Sequence, residues 1–367
     1  MYDLQTILEH FIADDLFLSA VPYGEGHIND TFAANFQKNN GDRYRVILQR
    51  INHLVFTDPP GLMNNVYGIT TFLKQKIAAA GGNVMRETLT VIPAKNGDLF
   101  YIDRDGNYWR MYVFVEDAIT YQSCRNEQDF YNCGTAFGNF QRLLSDYKTD
   151  QLVETIADFH NTVRRFEALK EAIRQDKSGR AKNVQPEITF ALNREKDAGA
   201  IIELLRSGKI PYRVTHNDTK LNNIMIDNQT GMGICVIDLD TVMPGAACYD
   251  FGDSIRFGAS TAAEDETDLS KVTMSLQLFE VFAKGYLSVA KEFLTPAETE
   301  SLAVGAKIMT FECGIRFLTD YLNGDTYFKI HRANQNLDRC RTQFRLVADM
   351  EQKMDRMQEI VKKYSVK

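Results

Sequence analysis

The chain has 367 residues, of which 44% are hydrophobic, 25% charged and 11% aromatic, a composition that excludes a disordered or fibrous protein. Its formal charge of -7, from 42 Lys plus Arg against 49 Asp plus Glu, provides no basic footprint for a polyanion, so nucleic acid is not an expected partner. No apolar run approaches the about 20 residues that span a bilayer, and the start MYDLQTILEHFIADD is acidic and helical where a secretory leader is basic and then apolar. The expectation is a cytoplasmic protein with no membrane partner.

In chain order, Leu4, Ile7, Leu8, Phe11 and Ile12 carry helical spacing within Asp3 to Phe17, and SAVPYGEGHINDTFAANF then changes to strand-like alternation around a glycine turn. Arg43 to Ile51 reads as a third strand. Asp58, Pro59 and Pro60 look like the cap and first turn of a helix running to about Ala80, stopped by Gly81 and Gly82. Strands follow near Leu99 to Asp103 and Tyr108 to Val115, with Asp105 and Gly106 as the hairpin turn. Residues 1–115 therefore read as a small lobe with an antiparallel sheet.

Residues 116–367 are mainly helical. Phe130, Cys133, Phe137, Phe140 and Leu144 line one face of a helix that Asn126 caps, and further helices are expected at Val163 to Gln175 and Glu187 to Arg206. Two strand-like runs, NNIMID and GICVID, flank the turn DNQTGMG before helices resume from Glu264. The fold class is α+β. The six cysteines form no CxxC pair and read as small core residues.

The break in the helical half carries the chemistry: THNDTKLNNIMID, then CVIDLDTVMPGAACYDFGD. Asp218 is followed two positions on by Lys220 and five on by Asn223, and Asp238 ends an apolar strand 20 residues after Asp218. Phosphoryl transfer needs a carboxylate to take the proton of the attacking hydroxyl and oxygen ligands to hold magnesium against the nucleotide phosphates. Asp218 fits the base, and Asn223 and Asp238 the Mg2+ ligands. Lys220 is either a solvated surface lysine or a group that neutralises the transferred phosphoryl. His216 reads as a packed brace, Asp240 as a third ligand or a cap, and Asp250 and Asp253 as braces to backbone N–H groups.

YGEGHINDT lies between two expected strands, where Gly24 and Gly26 let the backbone approach phosphates. Asn29 stands where a protein kinase has a third glycine, a place that suits a residue tolerant of positive φ. Thr31 follows on the next strand, and a plain hairpin turn is the alternative.

At these residues the sequence resembles the aminoglycoside phosphotransferase and choline kinase superfamily, which implies a bilobal protein-kinase-like fold with ATP as co-substrate. The resemblance implies that Asp218 is the base, that Asn223 and Asp238 bind magnesium, and that a hinge at Phe114 to Glu116 meets adenine. GEGHINDTF, ILQRIN, AFGNFQRLL, FHNTVRRFEAL, HNDTKLNNIMID and RFLTDYLNGDTYF are also similar to the N-acetylhexosamine 1-kinase group. That likeness implies phosphorylation of the anomeric hydroxyl of GlcNAc or GalNAc, with sugar contacts at His27, Asp218, Phe257, Arg316 and Tyr327. Arg316 has an alternative as a helix-surface arginine paired with Asp320.

Two departures from the kinase pattern stand out. Gln49 occupies the place of an ATP-clamping lysine in RVILQRIN, and the helix from Pro59 to Ala80 contains no glutamate to pair with one. Arg45 or Arg50 replaces it, or the glycine loop and magnesium hold the nucleotide. The rival readings are a same-fold kinase for an aminoglycoside, choline or another alcohol, a non-catalytic pseudokinase, and a metal phosphohydrolase using His216, Asp218, Asp238 and Asp240, which would need more ligands than this region offers.

Overall fold

The structure is a computed structural model and describes residues 2–366 except 13, 25 and 27. In chain order it contains α1 (Leu4–Glu9), β1 (Leu16–Pro22), β2 (Asp30–Gln37), β3 (Arg43–Ile51), α2 (Pro59–Ala79), β4 (Val91–Ile92), β5 (Tyr101–Ile102), β6 (Tyr108–Val113) and β7 (Ala118–Ile119). There follow α3 (Glu127–Leu143), α4 (Thr162–Gln175), α5 (Gln185–Leu192), α6 (Ala200–Arg206), β8 (Arg213–Thr215), β9 (Ile224–Asp227), β10 (Gly233–Val236) and β11 (Met243–Gly245). The chain ends in α7 (Ala247–Gly258), α8 (Leu276–Ala290), α9 (Pro296–Asn323) and α10 (Gln335–Ser365). This is an α+β protein with an antiparallel sheet in its N-terminal part and a helical C-terminal part.

Two compact units emerge. The first comprises residues 1–119, 146–157 and 225–243; the second comprises 120–145, 158–224 and 244–367. In the first, the antiparallel order β1-β2-β3-β6-β4, with β5 also on β6, builds the sheet. Alternation sends Ala34, Phe36, Val46, Leu48, Trp109 and Met111 into a core covered by Ile7, Leu8 and Phe11. Asp58 caps α2 by accepting from the Gly61 N–H at 3.0 Å. The returning strands β9 and β10 add a second small sheet through β7, with Ala118 opposite Asp227.

The second unit packs helices around Phe166, Leu169, Phe311, Ile315, Leu318, Phe344 and Val347. Helix α7 crosses α9 with backbone against backbone: a Cβ on Gly252 would lie 2.6 Å from the Gly305 carbonyl oxygen. That approach seats the α7 carboxylates beneath the loop after β8. Arg213, which opens β8, is gripped by Glu298 at 2.8 and 2.9 Å. Glu298 also completes the capping box of α9, its carboxylate accepting the Thr295 N–H at 2.8 Å.

Several expected elements are shorter than their patterns. The first helix stops at Glu9, and Phe17 belongs to β1. The Leu99 to Asp103 strand is only Tyr101–Ile102, because the Asp103 carboxylate organises the next turn, accepting from Asn107 N–H at 2.9 Å and Trp109 Nε1 at 2.8 Å. The helix expected over Glu187 to Arg206 breaks into α5, a 3-10 turn at Glu195–Gly199 and α6. The intervening NREKD has no apolar stripe to bury, and its charges are used elsewhere: Arg194 pairs with Glu351 at 2.7 Å and Asp197 with Lys307 at 2.9 Å.

Candidate active site

In the second unit, β8 delivers the chain into a loop whose backbone is held by buried carboxylates. Asp250 accepts the His216 N–H at 2.9 Å and the Asn217 N–H at 2.8 Å, and Asp253 accepts the Thr219 N–H at 2.9 Å. The Thr219 hydroxyl donates to the Asp250 carbonyl at 2.6 Å, and Ser254 Oγ donates to the Thr219 carbonyl at 2.8 Å. Asn217 adopts φ 66°, which turns the chain sharply at the residue before Asp218. Burial pushes the Asp250 carboxyl up, against the pull of His216 and the backbone donors. Burial pushes Asp253 the same way, but Arg256, His160 and Lys220 outweigh it and hold that carboxyl low.

His216 is fully buried between the Phe137 and Phe140 rings, and its Nδ1 accepts the Asp218 N–H at 3.3 Å. It braces the loop, as its pattern suggested. Asp218 itself is held at both oxygens: Lys220 Nζ is 2.9 Å from Oδ1, and Asn223 Nδ2 donates to Oδ2 at 3.0 Å and to the Asp218 carbonyl at 2.8 Å. Burial disfavours the Lys220 charge, yet Asp218 more than compensates and raises its pKa. Both bonds given to Asn223 use its amide nitrogen, so its carbonyl oxygen is the atom suited to meet a cation.

Behind this loop lies a buried relay that carried no assigned role in the sequence reading. His160 joins Glu312 through Nδ1 at 2.7 Å and the Asn217 carbonyl through Nε2 at 3.3 Å, while the Thr162 hydroxyl donates to Glu312 at 2.6 Å. One helical turn along α9, Arg316 stands over the Phe159 and Phe328 rings, 5.4 and 5.5 Å from their centroids. It is not paired with Asp320. That carboxylate accepts the backbone N–H groups of Thr326, Tyr327 and Phe328 at 2.9, 2.8 and 2.9 Å, which shapes the segment after α9. Among the described residues, Arg316 makes neither a hydrogen bond nor an ion pair. Arg165 is close enough that burial first and Arg316 second lower its pKa. Tyr327 is 65% exposed and Phe257 40% exposed.

The first unit holds the other expected residues. Gly24 has φ 77°, and a Cβ on Gly24 or Gly26 would meet nothing within 4 Å. Asn29 is not in the positive-φ region; its side chain instead donates to Asp240 at 2.7 Å and accepts the Asn52 N–H at 2.9 Å. Thr31 Oγ1 accepts from Gln49 at 2.9 Å. His27 lies outside the described residues. Phe114 is buried with the Arg45 guanidinium 3.7 Å above its ring, and Glu116 pairs with that same arginine. The Glu116 carbonyl accepts two N–H groups of Arg86 at 3.2 and 3.1 Å. Asp238 sits after β10 at φ 58°, at the head of the turn Leu239–Thr241.

The two arginines considered in place of the clamping lysine are both engaged by carboxylates, Arg45 by Glu116 and Arg50 by Asp30 at 2.6 Å. The buried arginine is Arg110 of β6, paired with Asp240 at 2.5 and 2.9 Å, so Asp240 is engaged as an ion-pair partner. A charge inside the apolar run YWRMYVFV was the sequence signal for it. Among the described residues no three of His, Cys, Asp and Glu gather into a metal cluster.

Residues 22–273 match the model of the phosphotransferase enzyme family, and the chain belongs to that family. Its fold is shared with a microcompartment-associated aminopropanol kinase at 15% identity and TM-score 0.59, covering 96% of this chain and 97% of that one. An amicoumacin kinase in complex with AMP-PNP, Ca2+ and Ami is similar at 15% identity and TM-score 0.56, covering 96% and 94%. A spectinomycin phosphotransferase bound to ADP and spectinomycin matches at 14% identity and TM-score 0.58, covering 97% and 99%.

Proposed function

We propose that this member of the phosphotransferase enzyme family is an ATP-dependent anomeric kinase that converts N-acetylhexosamines, GlcNAc or GalNAc, to the sugar 1-phosphate. The observation that carries the kinase reading is the double hold on Asp218, with Lys220 on one carboxylate oxygen and Asn223 on the other. A carboxylate fixed this way accepts the proton of an acceptor hydroxyl in one orientation, which is the positioning that phosphoryl transfer requires. Lys220 then lies where it offsets charge on the transferred group. Asn223 and Asp238 are the magnesium ligands in this reading, and bound magnesium would neutralise the phosphate oxygens. The glycine loop from Gly24 to Thr31 takes the phosphates, and the Phe114 to Glu116 segment takes the base.

The acceptor class rests on Arg316. A half-buried guanidinium flanked by Phe159 and Phe328, with Arg165 beside it and Tyr327 exposed nearby, suits a neutral ring rich in oxygen acceptors. Two neighbouring guanidiniums repel a cationic amine. The second reading, an amino alcohol or aminocyclitol acceptor, is favoured by the substrates bound in or named for the structural relatives.

ATP consumption with magnesium across GlcNAc, GalNAc, glucose, kanamycin and choline tests both. Sugar 1-phosphate from the acetylated sugars, abolished in Asp218→Asn, is the expected result. Turnover of choline or kanamycin alone would replace the sugar by a cationic acceptor.

A further inference from the structure

We propose that Arg110 takes over the task of the missing lysine clamp as a positioning residue, using Asp240 and Asn29 to tie the end of the glycine loop at Asn29 to the turn that carries Asp238. The inference rests on the kinase reading above and adds to it the device that organises the nucleotide side of the site.

The connections all lie within the first unit. Across the sheet, Thr31, Gln49 and Arg110 are direct cross-strand neighbours on β2, β3 and β6. Gln49 donates to Thr31 Oγ1 at 2.9 Å, and its Oε1 accepts two N–H groups of Arg110, at 2.9 and 2.6 Å. The guanidinium, only 1% exposed, turns its other edge to both oxygens of Asp240 in a bidentate pair. Asp240 Oδ2 also accepts from Asn29, whose own carbonyl oxygen holds the Asn52 N–H. Helix α2 contributes Met63, whose sulfur is 3.8 Å from Arg110 Nη1, and Asn65, which donates to the Val242 carbonyl at 3.1 Å. Thr155 donates to the Asp240 carbonyl at 2.8 Å.

Asp240 thus has both oxygens engaged by a guanidinium and an amide, and Asp238, two residues earlier, is the metal ligand of the proposed reading. Arg110 cannot itself reach a phosphate without abandoning Asp240, so it acts through its partners. The same network explains Asn29: a glycine there would satisfy the backbone but could not bridge Asp240 to Asn52. A buried pair of this kind is costly to break and is best justified by a geometry it fixes.

The test is binding of ADP and AMP-PNP by calorimetry with magnesium, for the wild type, Asn29→Gly, Asn29→Ala, Asp238→Asn and Asp240→Asn, with each Tm recorded. Asn29→Gly and Asn29→Ala should keep the wild-type Tm within a few degrees and weaken nucleotide binding by about tenfold, the scale of one hydrogen bond to a charged group. Excess magnesium should recover part of the Asp238→Asn loss and none of the Asp240→Asn loss. In case Asp240→Asn does not fold, the paired replacement Arg110→Met with Asp240→Leu restores the interior while removing the clamp, and it should fold yet bind nucleotide as weakly as the Asn29 variants. Wild-type affinity in Asn29→Gly, or magnesium rescue of Asp240→Asn, would overturn the clamp alone. A wild-type protein that binds no nucleotide would overturn the kinase reading and the clamp with it.

Discussion

Gln49 of β3 and Arg110 of β6 stand opposite each other in register, and the Gln49 side-chain oxygen accepts two guanidinium N–H groups, at 2.9 and 2.6 Å. A neutral amide occupies the site of an expected cation because the cation stands on the neighbouring strand. Restoring the usual residue by Gln49→Lys would set a second positive charge against Arg110 and remove its acceptor. We expect ATP KM to rise and Tm to fall, measured by steady-state kinetics and thermal unfolding; an unchanged or tighter KM would show that Gln49 is incidental.

Asp218→Asn should lower kcat by about 10²–10⁴-fold, the usual share of general base catalysis, while leaving nucleotide affinity near the wild-type value. The amide cannot accept the proton, yet it retains an oxygen for Lys220 and keeps the loop's outline. Parallel kcat and AMP-PNP binding measurements separate the two effects.

Arg316→Ala should raise the acceptor KM with little change in ATP KM, since the guanidinium over Phe159 and Phe328 is the proposed acceptor contact. Losing a charged hydrogen-bond donor to a neutral acceptor corresponds to about tenfold or more in KM. Equal turnover at low sugar concentration would remove Arg316 from the acceptor site.

Glu312 is buried, which pushes its carboxyl up, but His160 and Arg316 outweigh burial and hold its pKa below the ordinary value. A depressed carboxyl stabilises the fold above its unfolded pKa of about 4.3, and that contribution fades as pH falls through the lower folded value. Thermal unfolding from pH 6 down to pH 3 should therefore show a steeper acid loss for the wild type than for Glu312→Gln. Parallel curves would exclude the His160–Glu312 contact as a source of acid sensitivity.

At the α7–α9 crossing, Gly252→Ala places a methyl carbon 2.6 Å from the Gly305 carbonyl oxygen. Backbone cannot yield there as a side chain would, so overpacking of about 1–3 kcal/mol is expected, seen as a lower midpoint in denaturant. Because α7 carries Asp250 and Asp253, kcat should fall with stability.

The sequence by itself determined the sheet half and the helical half, the capped helix starting at Asp58, and the loop in which Asp218, Lys220 and Asn223 lie close together. These are local: caps, strand alternation and a short loop depend on residues within a few positions of each other. The bracing by Asp250 and Asp253 was legible too, because carboxylates just beyond such a loop commonly accept its backbone N–H groups. What only tertiary structure decided is who pairs with whom over long separations. Arg110 and Asp240 are 130 positions apart, and His160 and Glu312 are 152. Periodicity marks a residue as buried but does not name its partner. Asn29 likewise looked like a substitute for glycine until its amide was found on Asp240. Asp320, four residues from Arg316 and spaced to pair with it, is instead engaged by backbone N–H groups of the chain that folds back after α9. A charge leaves water only where the fold brings enough donors or acceptors to it, and that requirement is met by the packed chain rather than by any stretch of sequence.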